Sequence, residues 1–182
     1  MPQITLFVAP PGAGKSTEAE RYLQAHGHRH DLVRISQDDQ GKEGHMEEFE
    51  KALSRGYDII VDRMNFDKKQ RNRYLDPARK VGYATRIIVL HVSRSTCLER
   101  CNARVGHPTI KDSKSASQAV NFFFSNYERV SDDEADEIMR LGWVDVNAPK
   151  AIVCDLDGTL SNVEHRRHHV RPTIETVYGS PH

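Results

Sequence analysis

"QITLFVAPPGAGKSTEAERYLQAH", residues 3–26, decides the fold. "QITLFVA" (3–9) is a short continuous apolar run, the pattern of a strand buried on both faces. "APPGAGKST" (9–17) follows at once and fits x-x-x-x-x-G-K-[ST], with Ala9 where the first glycine of that motif usually stands. From Lys15 to about His26 the pattern turns helical. Strand, glycine loop and helix in that order have a chemical meaning. Gly12 and Gly14 permit a tight turn in which successive N–H groups converge on phosphate oxygens. The new helix adds its positive N-terminal end. Lys15 places a charge on the terminal phosphates, and Ser16 offers a hydroxyl to Mg²⁺. Gly12, Ala13, Gly14, Lys15, Ser16 and Thr17 are therefore the candidate cradle of a nucleoside triphosphate, with ATP and Mg²⁺ as the expected cofactors.

Working outward, β-prone runs alternate with helical ones. Strands are expected at 31–36, 57–62 and 83–92, and helices at 45–56, 68–82 (with Pro77 as a candidate kink) and 93–106. This alternation predicts an α/β fold of the P-loop NTPase, nucleotide-kinase-like kind, a parallel sheet with helices on both faces. Residues 107–118 read as a polar loop, and 119–130 as a segment whose aromatics pack inward. Residues 131–142 read as a helix opened by a capping box, Ser131 and Glu134, and closed by Gly142. The break "APK" (148–150) separates a P-loop domain, 1–147, from a segment at 148–182.

The totals narrow the class. The 182 residues carry a formal net charge of zero, so a polyanion must be held by local basic groups. No apolar run approaches the ~20 residues that span a bilayer, so no membrane partner is expected. The short apolar run at the N-terminus has no basic leader. Three cysteines, Cys97, Cys101 and Cys154, are too few and scattered for a disulfide framework. A reduced, cytoplasmic setting is expected. The histidine-rich "HGHRH" (26–30) and "HRRHH" (165–169) read as exposed polar turns.

The strand ends point to group transfer. "ISQDDQ" (35–40) puts Asp38 and Asp39 at the carboxyl edge of the sheet, where open parallel sheets bind ligands. A carboxylate there can accept the proton of an attacking hydroxyl. Asp62, closing the third strand, can hold a metal's water shell or orient substrate. Asn65 and the basic run Lys68, Lys69, Arg71 and Arg73 follow, as a substrate contact or a solvated helix face. Arg100 and Arg104, four apart on one helix, can clamp a transferring phosphoryl group as a lid closes over it.

These pieces, in this order, resemble the kinase domain of the bifunctional phage polynucleotide 5′-kinase/3′-phosphatases over nearly the whole chain. The resemblance rests on "PPGAGKST", the "DD" pair, the "VD…N" strand end, the "ER…AR" helix and the trailing "PKAIVCDLDGTL". It implies that Lys15 and Ser16 serve ATP and Mg²⁺, that Asp38 is the general base for a 5′-hydroxyl, and that Arg100 and Arg104 are lid arginines. It departs at Gly41, where those kinases carry an acceptor-holding arginine three residues after the base. Lys42 is the adjacent candidate substitute.

"AIVCDLDGT" (151–159) is similar to the nucleophile loop of haloacid-dehalogenase-type phosphatases, which implies Asp155 as nucleophile and Asp157 as general acid. The remaining catalytic strands of that family do not follow, so Asp155 and Asp157 are read as vestigial, or as one part of a phosphatase completed by a separate polypeptide. The expected activity is transfer of the ATP γ-phosphate to a hydroxyl of nucleic acid, most naturally a 5′-OH end of DNA or RNA. The alternatives are a kinase of hydroxymethyl-modified phage DNA bases, a small-molecule kinase, and a non-catalytic NTP-binding subunit.

Overall fold

A computed structural model of the chain describes residues 1–26, 30–103 and 113–142, all within the first of two units into which the chain divides, Met1–Val144. Five parallel strands, β1 (Gln3–Val8), β2 (Leu32–Ser36), β3 (Asp58–Asp62), β4 (Ala84–Leu90) and β5 (Glu137–Leu141), lie in the order β2-β3-β1-β4-β5. Between them run α1 (Lys15–Ala25), α2 (Gln37–Arg55), α3 (Lys68–Lys80), α4 (Arg94–Ala103) and α5 (Ser113–Asn126). This is the P-loop kinase-like α/β fold that the alternation predicts.

Period-two packing explains the central strands. On β1, Ile4, Leu6 and Val8 face a core with Phe49 of α2 and Tyr74 and Leu75 of α3. Phe7 faces the opposite core, with Ala19 of α1, Cys97 of α4 and Val120 of α5. Both faces are covered, so strands β1, β3 and β4 read as nearly unbroken apolar runs. The edge strand β5 alternates exposed and half-buried positions.

Three expectations change. Residues 131–142 form a turn and then β5, not a helix. Ser131 and Glu134 do bond as a capping box would, from the Ser131 N–H to Glu134 Oε1 at 2.9 Å. The Glu134 carboxylate, however, also takes the buried Arg71, from Nε to Oε2 at 2.5 Å and from Nη2 to Oε1 at 3.0 Å. Asp136 then sets the register of β5 by accepting from Thr85 N and Oγ1, both at 2.8 Å, while its own N–H donates to Thr85 Oγ1.

The second change concerns α5, which begins at Ser113, inside the stretch read as a loop. Its aromatics divide between core and surface: Phe123 is buried, whereas Phe122 and Phe124 are exposed. Third, α2 begins at Gln37, eight residues before the expected start, and breaks at Gly41, where φ is 76° and ψ 178°. Helix α3 runs through Pro77. The segment 151–159, with Asp155 and Asp157, lies outside the described residues, as do the break at 148–150 and Arg104.

Candidate active site

The loop after β1 is shaped by two left-handed residues, Gly12 (φ +78°) and Gly14 (φ +97°). Gly12 has a second reason to lack a side chain. A Cβ there would lie 2.6 Å from the Cys97 carbonyl oxygen and 2.9 Å from Cys101 Sγ, because α4 packs directly on the loop. Gly14 caps α1 and has nothing within 4 Å of where a Cβ would stand. The loop is pinned from outside as well, since Ala9 N–H donates to Met64 C=O at 3.2 Å, just beyond β3. Lys15 Nζ folds back to donate to Ala9 O at 3.1 Å and Pro10 O at 2.8 Å.

Above this loop is a cavity of about 370 Å³. Gly12, Gly14, Lys15 and Ser16 line it from below, Asp38 from α2, Asp62 and Arg63 from the end of β3, and Cys101 and Ser115 from the α4 and α5 side. Six of the expected residues are thereby brought to one place: Gly12, Gly14, Lys15, Ser16, Asp38 and Asp62. Ala13 is buried, and Thr17 is exposed on α1.

The two adjacent aspartates have different fates. Asp38 and Asp39 occupy the first turn of α2, where the helix dipole favours carboxylates. Gln40 fixes that turn, accepting from Ser36 N–H at 2.9 Å and donating to Arg34 C=O at 3.1 Å. Asp39 lies 3.3 Å from Arg34, turned to the β2 side. Asp38 lines the cavity. Arg34 also grips Asp62, with Nη2 and Nε at 2.6 and 3.1 Å from Oδ2. One oxygen of the expected metal-shell carboxylate is therefore already engaged by a cation.

Two expected substrate residues are buried in bonds that tie the fold together. Asn65 is fully buried in a left-handed conformation (φ 46°), and its side-chain amide donates to Phe7 C=O at 2.8 Å, tying the end of β3 to β1. Arg71 is buried against Glu134 and also donates to the carbonyls of Asn65 and Glu128. Arg71 belongs to the buried stripe of α3, with Tyr74, Leu75 and Ala78. Lys68, Lys69 and Arg73 are the exposed members of that basic run. Arg100 is exposed beside the loop, with Nη1 3.5 Å from Gly12 O.

Three polar residues that the sequence reading passed over shape the wall, namely Gln37, His45 and Arg63. Arg63 Nη1 donates to Tyr74 Oη at 2.8 Å and contacts His45 Nε2 at 3.3 Å, and Nη2 donates to Gln37 Oε1 at 2.5 Å. His45 Nδ1 contacts Gly41 O at 2.9 Å, so Nδ1 carries the proton and Nε2 accepts from Arg63. Burial holds the His45 pKa below the usual imidazole range. The Gly41 carbonyl opposes that shift, and the charges of Arg63 and Arg73 reinforce it. The sequence did hold a signal: His45, Phe49 and Ala52 are the i, i+4, i+7 buried stripe of α2.

The donor set suits Mg²⁺ with a nucleotide. Among the described residues no group of three or more His, Cys, Asp or Glu side chains converges as a metal cage. Mg²⁺ takes most of its ligands from phosphates and water, with one or two protein oxygens. Ser16 and Asp62, on one cavity with the bare Gly14, provide such oxygens.

A family model described as an AAA domain matches residues 42–130. No curated protein sequence matches the chain. Among solved structures, a fungal RNA kinase superimposes with a TM-score of 0.63 at 15% identity, covering 100% of this chain and 91% of that one. Kti12 of Chaetomium thermophilum, solved with ADP-AlF3, superimposes with a TM-score of 0.54 at 17% identity, covering 77% of this chain and 89% of that one. At these identities the likeness is one of fold.

Proposed function

We propose that the chain is an ATP- and Mg²⁺-dependent kinase that phosphorylates a hydroxyl of nucleic acid, a 5′-OH end of DNA or RNA. The observation that carries this reading is one cavity bounded by Lys15 and Ser16 below and the Asp38 carboxylate at its side. ATP binding at a P-loop places the terminal phosphate near Lys15, which exchanges its two loop carbonyls for phosphate oxygens. Ser16 and Asp62 would hold Mg²⁺ on this side of the cavity, where it would neutralise charge on the phosphates.

Asp38 accepts the proton of the acceptor hydroxyl. The acceptor oxygen forms its bond to the γ-phosphorus as the bond to the β-phosphate oxygen breaks, and that electron pair leaves with ADP. Arg100, beside Gly12, adds positive charge at the mouth of the loop. The fungal RNA kinase and the nucleotide-bound Kti12 share the fold on which this reading stands.

Asp38→Asn should lower transfer of labelled phosphate from ATP to a 5′-OH oligonucleotide by about 10²–10⁴-fold, leaving ATP binding within a few fold. Undiminished transfer in that variant would remove Asp38 from the role of base. Equal labelling of DNA lacking 5′-OH ends would redirect the proposal to internal hydroxyls.

A further inference from the structure

Arg34 is not among the residues that line the P-loop cavity, yet it acts on the cavity's wall. Strand β2 pairs in parallel with β3 so that Arg34 is level with Ile60, and Ser36 with Asp62. Residues two apart on a strand share a face and are separated along it by roughly 6–7 Å. The long arginine side chain spans that step. Its Nη2 and Nε both donate to one atom, Asp62 Oδ2, at 2.6 and 3.1 Å. Its Nη1 lies 3.3 Å from Asp39 Oδ2, in the first turn of α2. The Asp62 side chain is 3% exposed and that of Arg34 23%, so these charge-assisted bonds are largely withdrawn from water. The other Asp62 oxygen, Oδ1, has no partner among the described residues, and Asp62 lines the cavity.

We propose that Arg34 is a positioning residue for the metal: it holds Asp62 to a single available oxygen and so tunes the nucleotide site for Mg²⁺ against Ca²⁺. The inference deepens the kinase reading and rests on it. Mg²⁺ demands a small octahedral shell, keeps several waters and takes one or two protein oxygens beside the phosphates. Ca²⁺ accepts roughly six to eight oxygens and readily takes both from one carboxylate. With Oδ2 bound to Arg34, Asp62 offers Oδ1 alone, and the two-oxygen mode is closed. Ser16 offers the same single hydroxyl to either ion. Outer-shell partners that orient a ligand carboxylate are worth about 10–100-fold in metal affinity. Removing the Arg34 charge makes the cavity more negative toward both divalent ions alike. The ratio of the two affinities, and not either one, therefore reports the geometry.

The test is calorimetric binding of ADP to the full chain in MgCl₂ and in CaCl₂. Wild type should bind ADP more tightly with Mg²⁺. In Arg34→Met the ratio of ADP affinity in Ca²⁺ to that in Mg²⁺ should rise about tenfold. This variant leaves the buried Asp62 without its cation. Arg34→Gln, which keeps a neutral donor there, is the parallel variant, with a rise in the same direction. Arg34→Lys keeps a cation at the position and should return most of the wild-type ratio. Asp62→Asn in the Arg34→Met background presents one acceptor oxygen and should cancel the rise.

Three results overturn the assignment of Arg34 while leaving the kinase reading in place. They are a wild type indifferent to the ion, an unchanged ratio in Arg34→Met and Arg34→Gln, and a rise that survives Asp62→Asn. The kinase reading fails on a different result, a wild type that binds ADP in neither salt, and the assignment then falls with it.

Discussion

At the scale of the residue, the two glycines of the phosphate loop differ in what they resist. Both carry a left-handed φ, which costs an L side chain about 1–2 kcal/mol. Gly12 in addition faces the Cys97 carbonyl, a backbone atom that cannot rotate away. Gly12→Ala should therefore add an overpacking cost of about 1–3 kcal/mol to the conformational one. Urea midpoints should rank wild type above Gly14→Ala and Gly14→Ala above Gly12→Ala, and equal losses in the two variants would contradict the packing of α4 on the loop. The loop itself was legible in the sequence because its glycines, lysine and serine are tied to one another by local geometry. The burial of Asn65 and Arg71 was hidden for the opposite reason. Their partners, Phe7 and Glu134, lie 58 and 63 residues away, and no local pattern announces such pairs.

At the scale of the element, α2 and the segment before β5 account for most of what the sequence concealed. The helical start at Gln37 is hidden by Gly41, a non-helical kink that divides a short first turn from the longer helix after it. Its φ of 76° and ψ of 178° fall in a region open essentially to glycine, so the position that is arginine in the resembled kinases cannot be arginine here without refolding the turn. Gly41→Arg should cost about 1–3 kcal/mol in chemical denaturation and fail to improve acceptor binding. The Ser131–Glu134 pair has a helix signature, but its carboxylate is taken by a buried guanidinium and the chain continues as a strand. Burial alone would raise the Glu134 pKa. The hydrogen bond from Arg71, the Ser131 bonds and the Arg71 charge outweigh it, and the carboxyl ends below its usual range. Glu134→Gln leaves Arg71 buried without its counter-charge and should cost about 3–5 kcal/mol at neutral pH. The difference from wild type should shrink in acid, because the stabilisation is present above the ordinary glutamate pKa and is lost as pH falls through the depressed one.

At the scale of the molecule, five parallel strands in the order β2-β3-β1-β4-β5 place the ends of β1, β2 and β3 around one cavity. The four strands anticipated from the sequence are the first four, all β-prone runs, with β1, β3 and β4 largely buried and β2 partly so. The missed fifth is an edge strand whose half-exposed alternation carries a weaker signal. Among the described residues, His45 and His91 have pKa values that burial lowers. The charges of Arg63 and Arg73 on one, and of Arg140 and Arg129 on the other, act in the same direction. Their pKa values lie below 6.5 in the folded chain, so the unfolded chain binds more protons between the depressed values and 6.5. Melting temperature should fall as pH drops from 7 through that window. His45→Gln combined with His91→Gln should flatten that part of the profile, while the acid loss from Glu134 persists at lower pH.

The backfolded Lys15 has a thermodynamic consequence of its own. Its ammonium is bound to the carbonyls of Ala9 and Pro10, so the loop acts as its own competing ligand, an intramolecular one at fixed effective concentration. Nucleotide affinity then measures a swap of partners rather than the burial of a bare charge. The loop needs no guest to keep its shape, and its readiness is set in advance by two oxygen atoms of its own backbone.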